Sequence, residues 1–257
     1  MDNDSLELHL STSVRYGLFV TLPLFLHYVI TETTSILEGN QMEMILNAEL
    51  VLKKFAMLFG LLPQGFAAIF VIALLLFLCF RESARMGPLD LCPGDVLITI
   101  KQALPFAGIL WVVAFIISLM QSGLPQGDQS TFSLLPMLFA MRSGAGFFEE
   151  LLCRVLLLGG SLWILEKAKV DHSKSCVIAV IFSSLAFAEM HYFHFFPGLG
   201  QWFGIIDNPD NPYTIGGFAF RFMAGAFLGW VYLKKGFGVS AWSHALYGYF
   251  QVIQFFM

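Results

Sequence analysis

Long apolar runs separated by short polar stretches dominate the pattern along the chain. A helix needs about 20 residues to cross roughly 30 Å of hydrocarbon. Seven runs carry few or no charges and predict seven membrane-spanning helices, at residues 16–30, 55–80, 104–120, 147–165, 176–190, 215–233 and 239–257. The stretch 132–141 either extends the fourth run or forms an interfacial or re-entrant helix. We therefore expect an all-α, polytopic transmembrane helical bundle of seven to eight spans.

Composition agrees with a membrane protein. Hydrophobic residues make up 57% of the 257 residues and charged residues only 12%, against about 25% charged in soluble domains. The lipid bilayer is therefore the expected partner of much of the surface. A net charge of -4 without a basic stripe argues against nucleic acid. The four cysteines lack the spacing of a zinc site or a disulfide framework, and they are Cys79, Cys92, Cys153 and Cys176.

The loops between the predicted spans differ in positive charge. One alternating set holds nine Lys and Arg residues, and the opposite set holds three. The nine are Arg15, Arg81, Arg85, Lys101, Lys167, Lys169, Lys174, Lys234 and Lys235, and the three are Lys53, Lys54 and Arg142. Because positive loops stay in the cytoplasm, we expect a cytoplasmic N-terminus. The chain opens on the polar stretch MDNDSLELHL, so we expect the first span to be retained rather than cleaved as a signal peptide.

The fourth run opens with three charged residues, in the sequence FFEELLCRVLLL. A charge at membrane depth costs roughly 2.5–3.5 kcal/mol, so each one needs a reason. Glu150 and Arg154 are four residues apart and are predicted to pair, while Glu149 is rotated by about 100° on an α-helix. Glu149 is then available as a general base. The alternative is that all three residues form a structural ion cluster.

Histidines follow in two later runs. The fifth run ends FAEMHYFH, with Phe187, Glu189, His191 and His194, and the last run reads SAWSHALYGYF, with His244. A zinc site at His191 and His194 is an alternative, although the sequence has no HExxH and no third ligand stands out at helical spacing. Ionisable residues on separate spans usually converge on a cavity. Arg221 in the sixth run is expected to be a snorkelling end residue.

Three sequence features follow one another along the later predicted spans. EELLCR fits EExxxR, FAEMH fits FxxxH, and His244 occupies the place of a third histidine. Together they resemble the CPBP family of glutamate-type intramembrane endopeptidases, which includes CAAX prenyl proteases and bacteriocin-processing or immunity proteins. The resemblance covers roughly residues 147–250. It implies a catalytic helical core at 131–257 within one integral domain, preceded by spans and loops of uncertain role at 1–130.

The resemblance also implies residue roles. Glu149 and His191 would activate a water, and His244 would donate to the oxyanion. Glu150, Arg154 and Phe187 would support the site, which would need no metal and no cofactor. The family often has Asn four residues after its third histidine, where this chain has Gly248. Either another group, with Tyr247 and Tyr249 nearest in sequence, replaces this donor in the oxyanion site, or activity is weak.

The predicted function is hydrolysis of a peptide bond in a membrane-associated protein or peptide, by an integral, multi-pass protein of a bacterial inner membrane. The loop charges place Glu149 and His191 towards the external face, and a C-terminal sorting tag or a leader peptide is the substrate expected for an externally facing site. The main alternative is a non-catalytic binding or immunity protein on the same scaffold. Cys153 as a nucleophile is a weaker alternative, since it is better explained as an apolar position within EELLCR. A proton-coupled transporter is also weaker, since no pair of matching halves is evident.

Overall fold

A computed structural model describes residues 14–37, 46–57, 92–121, 134–203 and 212–256. Every regular element in these residues is a helix, in agreement with the all-α prediction. The elements are α1 Val14–Val20, α2 Leu22–Leu37, α3 Asn47–Met57, α4 Gly94–Gln121, α5 Leu135–Gly144, π1 Ala145–Glu149, π2 Leu151–Leu158, α6 Gly159–Lys167, α7 His172–Glu189, α8 Pro197–Phe203, α9 Ile215–Lys235 and α10 Phe237–Phe256. Most of the predicted run 55–80 lies outside the described residues.

Several helix ends follow from local chemistry. The Asp171 carboxylate accepts from Lys174 N at 3.2 Å and caps α7, as short acidic side chains do at N-termini. Asp95 accepts from Cys92 N at 3.0 Å at the start of α4. Gly236 separates α9 from α10 with φ of 86°, a backbone conformation that glycine adopts without a steric penalty.

The helix that carries the EELLCR motif departs from regular α-helical geometry. Residues Ala145–Glu149 and Leu151–Leu158 form π-helical turns, where we had expected a regular α-helix. At the end of this stretch the Gly159 N–H reaches Arg154 O, five residues earlier. The π-helix is rare and often marks functional sites. The π-helical turns therefore include Glu149 and Arg154 of the EExxxR motif.

The described helices form two compact units. The first unit contains α1, α2, α4, α5, π1 as far as Phe147, and α10; the second contains α3, π2, α6, α7, α8 and α9. In the first unit α10 packs on α4 and α5, and α2 packs on α5. In the second, α7 packs on π2 and α6, and α3 packs on α8. The predicted roles of 1–130 and 131–257 stay a prediction.

Small residues allow close helix packing in the first unit. A Cβ on Gly146 would lie 2.7 Å from Ala245 Cβ and 2.8 Å from Ala241 O. A Cβ on Gly17 would lie 2.8 Å from Gly238 N. Helices in membranes associate through such small residues because lipid tails give little hydrophobic drive for association. Gly146 thus brings π1 into direct contact with α10 on either side of His244.

Two described helices are long and apolar enough to span a membrane, Gly94–Leu119 and Ile215–Lys235. A third candidate is the pair Val14–Val20 and Leu22–Ser35, which is bent by 47°. Large apolar side chains such as Ile109 and Ile116 on α4 are half exposed, as expected for a surface that faces lipid. The chain is an integral membrane protein. The count of seven to eight spans stays a prediction.

Candidate active site

In the second unit, Glu149 at the end of π1 lies close to His191, which follows the end of α7. The Glu149 Oε2 and His191 Nε2 atoms lie 3.8 Å apart. Glu149 is buried, with 7% of its surface exposed, whereas His191 is half-buried. A buried carboxylate is therefore paired with an imidazole that retains access to the surroundings. The two groups are close enough to act together on one proton donor that lies beside both.

The other ring nitrogen of His191 fixes the state of the imidazole. His191 Nδ1 lies 2.8 Å from Phe187 O. A backbone carbonyl only accepts hydrogen bonds, so Nδ1 must carry the proton of this bond. The Phe187 ring packs against the imidazole with centroids 5.0 Å apart. In the neutral imidazole, Nε2 therefore presents its lone pair towards Glu149.

Glu150 and Arg154 form a fully buried ion pair. Arg154 Nε donates to Glu150 Oε2 at 3.0 Å, and both side chains are 0% exposed. The pairing predicted from their spacing is thus confirmed. The Arg154 guanidinium also donates to Ser183 Oγ at 3.4 Å and lies 5.4 Å from the centroid of the Phe187 ring. The pair consequently ties π2 to α7, the helix that leads to His191.

Sequence reasoning missed Ser183. It lies on α7 four residues before Phe187, so both face the same side of the helix and both meet Arg154. Its hydroxyl also donates to Val180 O at 3.2 Å. Its signal in the sequence is a hydroxyl in the apolar middle of α7, and intrahelical bonding explains most such residues equally well.

His194 and Arg221 each contact an aromatic side chain near the end of α7. The His194 ring stacks on Tyr213 with centroids 3.7 Å apart. Arg221 donates to the Tyr192 hydroxyl and lies 4.6 Å from the centroid of that ring. Arg221 is therefore held by a cation–π contact and a hydrogen bond, where we had expected a snorkelling end residue.

His244 and Gly248 lie on α10 in the first unit. His244 is half-buried and Gly248 is buried. A Cβ at Gly248 would lie 2.7, 2.9 and 3.0 Å from Cδ, Cγ and Cβ of Arg142. The aliphatic stem of Arg142 therefore occupies the space that any larger residue at position 248 would need.

A neutral hydrogen-bond network lies nearby in the first unit and was also missed. Ser143 Oγ lies 2.7 Å from His27 Nδ1 and 2.5 Å from Tyr249 OH, and it donates to Phe139 O at 3.1 Å. Ser143 is fully buried. The network links α2, α5 and α10, helices that are far apart in sequence.

The structure also bears on two alternatives, Cys153 as a nucleophile and a metal site. Cys153 is a free thiol with 0% exposure, so a substrate would not reach it without rearrangement. Within the described residues, no three His, Cys, Asp or Glu side chains are grouped so as to hold a metal ion. Independence from metals stays a prediction for experiment.

Comparison with protein families gives one result. Residues 131–250 match the family model described as type II CAAX prenyl endopeptidase, Rce1-like. The matched region begins just before α5 and ends within α10, and it contains all three motifs. Comparison with curated proteins and with solved structures gives no match.

Proposed function

Because residues 131–250 form an Rce1-like domain of the type II CAAX prenyl endopeptidase family, a membrane protease family, we propose that this protein hydrolyses a peptide bond by glutamate-activated water. The observation that carries the proposal is the approach of Glu149 to His191 at 3.8 Å. The substrate is a membrane-associated protein or peptide. A bacterial inner membrane, several spans, and a sorting tag or leader peptide as substrate are parts of the same proposal.

The state of His191 supports a water as the reacting group. Glu149 as a carboxylate and Nε2 of the neutral imidazole both accept hydrogen bonds, so neither satisfies the other. A water can donate one proton to each, which orients its oxygen lone pairs away from both groups. Proton transfer to Glu149 then makes that oxygen nucleophilic.

The proposed step balances without a cofactor. The water oxygen bonds to the carbonyl carbon of the scissile peptide, and Glu149 takes one water proton. As the carbon–nitrogen bond breaks, Glu149 gives that proton to the leaving nitrogen, and the second water proton stays on the new carboxylic acid. His191 holds the water, and its Nδ1 bond to Phe187 O keeps the ring in position.

The remaining predicted residues take supporting roles in this proposal. Glu150 and Arg154 neutralise one another at 3.0 Å, which leaves Glu149 as the carboxylate for proton transfer. His244 donates to the oxyanion, a role that rests on the family resemblance. Gly248 replaces the second donor, whose loss typically costs about 10²–10³ in rate. Turnover is therefore slow unless another group donates.

A non-catalytic binding or immunity protein is the second candidate. The observation that favours it is Gly248, because the space beside it is filled by the Arg142 stem rather than by a donor side chain. Comparison of membrane-protein termini between cells with and without the protein separates the candidates. New termini in its presence identify a cleaved substrate, and unchanged termini favour the binding protein.

The central test is Glu149→Gln, which keeps the shape of the side chain and removes its basicity. We expect cleavage to be abolished while folded protein persists. Glu166→Gln is the matched control, since Glu166 is a partly exposed residue of α6 that pairs with His172, and it should cleave normally. Full activity of Glu149→Gln would refute the general-base assignment.

Two histidine variants test the rest of the proposed machinery. His191→Ala and His244→Ala should each lose at least about 100-fold in rate. Activity should survive phenanthroline and thiol alkylation. Inhibition by the chelator, reversed by zinc, would instead make His191 and His194 metal ligands.

A further inference from the structure

We propose that Glu189 is a positioning residue for His191, a role that rests on the proposed function. Its carboxylate holds the turn that follows α7, and this turn carries the imidazole that faces Glu149. Glu189 is the last residue of α7 and is 9% exposed. It lies two residues before His191 but is not part of the FxxxH pattern.

The carboxylate makes two backbone hydrogen bonds across the turn. Glu189 Oε1 accepts from Phe195 N at 2.7 Å and from Phe196 N at 3.0 Å. Hydrogen bonds to a charged acceptor are stronger than neutral ones, and burial strengthens them further. The segment that returns from His191 to α8 is thus attached to the end of α7.

The turn requires such support because its backbone is unfavourable. Phe193 adopts φ of 47°, in the left-handed region that residues with a side chain seldom occupy. Asn47 supports the other side of the turn, where its Nδ2 donates to Met190 O at 3.0 Å. The two side chains therefore hold the backbone immediately before and shortly after His191.

The position of this turn decides where the imidazole points. The Nδ1 bond to Phe187 O and the 3.8 Å approach to Glu149 both depend on where the His191 backbone lies. A displacement of about 1 Å in a catalytic group can cost 10²-fold in rate. Release of the carboxylate contact should therefore lower turnover although Glu189 touches no reacting atom.

A proton-transfer role for Glu189 makes a different prediction. Glutamine keeps a carbonyl oxygen that accepts both backbone N–H groups, but it cannot take up a proton. Positioning therefore survives Glu189→Gln and fails in Glu189→Ala. Proton transfer fails in both variants.

The experiment compares Glu189→Gln and Glu189→Ala in the full chain with wild type and with Glu166→Ala as the surface control. We expect kcat of Glu189→Ala to fall by about 10- to 100-fold, with KM unchanged. Glu189→Gln and Glu166→Ala should stay close to wild type. NMR of the histidine ring nitrogens should show protonation at Nδ1 of His191 in wild type and Glu189→Gln, and a mixture of tautomers in Glu189→Ala.

Two outcomes overturn the proposal. Glu189→Gln as inactive as Glu149→Gln would assign proton chemistry to Glu189, and full activity with an unchanged tautomer in Glu189→Ala would remove any positioning role. If wild type cleaves nothing, the proposed function fails, yet the NMR comparison still decides whether Glu189 sets the ring. If Glu189→Ala does not fold, Asn47→Ala tests the other support, and unaltered kcat and tautomer there would contradict the proposal.

Discussion

The two compact units hold their central buried polar side chains in different ways. The second unit buries charges: Glu150 and Arg154 are fully enclosed and meet at 3.0 Å. Besides Arg15, the first unit buries a neutral hydroxyl, that of Ser143, which lies 2.7 Å from His27 and 2.5 Å from Tyr249. The two partners of this ion pair lie four residues apart, whereas His27, Ser143 and Tyr249 come from three separate helices.

The two kinds of contact differ in how much stability is lost when one partner is removed. A buried ion pair contributes little net stability, because desolvation offsets its attraction, but removal of one partner leaves an uncompensated charge. Interhelical bonds between neutral groups in membrane proteins average only about 0.6 kcal/mol. The second unit should therefore respond far more sharply to single substitutions of its polar residues.

The largest effect is expected for Glu150→Ala. The variant leaves the Arg154 charge buried beside the Ser183 hydroxyl and the Phe187 ring, and should cost about 3–5 kcal/mol. Thermal unfolding in detergent micelles and the yield of folded protein measure this. Glu166→Ala, which removes a partly exposed partner of His172, should cost less than about 1 kcal/mol.

The double substitution Glu150→Leu with Arg154→Met sharpens this test, since it removes both charges and should recover most of the stability. An unchanged melting temperature of Glu150→Ala, together with loss of cleavage, would contradict a structural role. Glu150 would then belong to the catalytic group, and our division of roles between the two glutamates would be wrong.

A smaller effect is expected for Gly248→Asn in the first unit. The new side chain would meet the Arg142 stem at 2.7–3.0 Å, and overpacking of this kind costs about 1–3 kcal/mol. Gly108→Ala is the control, because nothing lies within 4 Å of a Cβ built there. Unfolding and turnover should be measured together. Higher turnover at unchanged stability would mean that Asn restores an oxyanion donor without a clash.

The features that the sequence predicts correctly are those set by residues close together in the chain. Apolar runs predict helices, and the spacing of Glu150 and Arg154 predicts their pair because a helix fixes which side chains meet. The π-helical turns at Ala145–Glu149 and Leu151–Leu158 have no such signal, because packing selects them over the α-helix.

The other contacts that the sequence does not predict join segments that are far apart in the chain. Ser143 and His27 are 116 residues apart, and a serine in a helix bonds as readily to its own backbone. Arg221 looked like an end residue because Tyr192, 29 residues earlier, is not marked as its partner by any spacing rule. The convergence of ionisable residues on separate spans is a general expectation, but the specific pairing of Glu149 with His191 comes from the motif resemblance, which carries information about tertiary structure that one sequence lacks.

The smallest effect is expected for Ser143→Ala, which tests whether the first unit tolerates loss of its central hydroxyl. His27 is exposed and Tyr249 is half-buried, so both can find other partners, and no charge is left uncompensated. We expect a loss of about 0.5–1.5 kcal/mol, measured by thermal unfolding. Thr33→Val is the control, because the Thr33 hydroxyl is exposed and bonds to Val29 O on its own helix, and it should change stability by less. A loss in Ser143→Ala as large as that in Glu150→Ala would break the contrast between the units, since it would mean that the neutral network holds α2, α5 and α10 together as firmly as the ion pair holds π2 to α7.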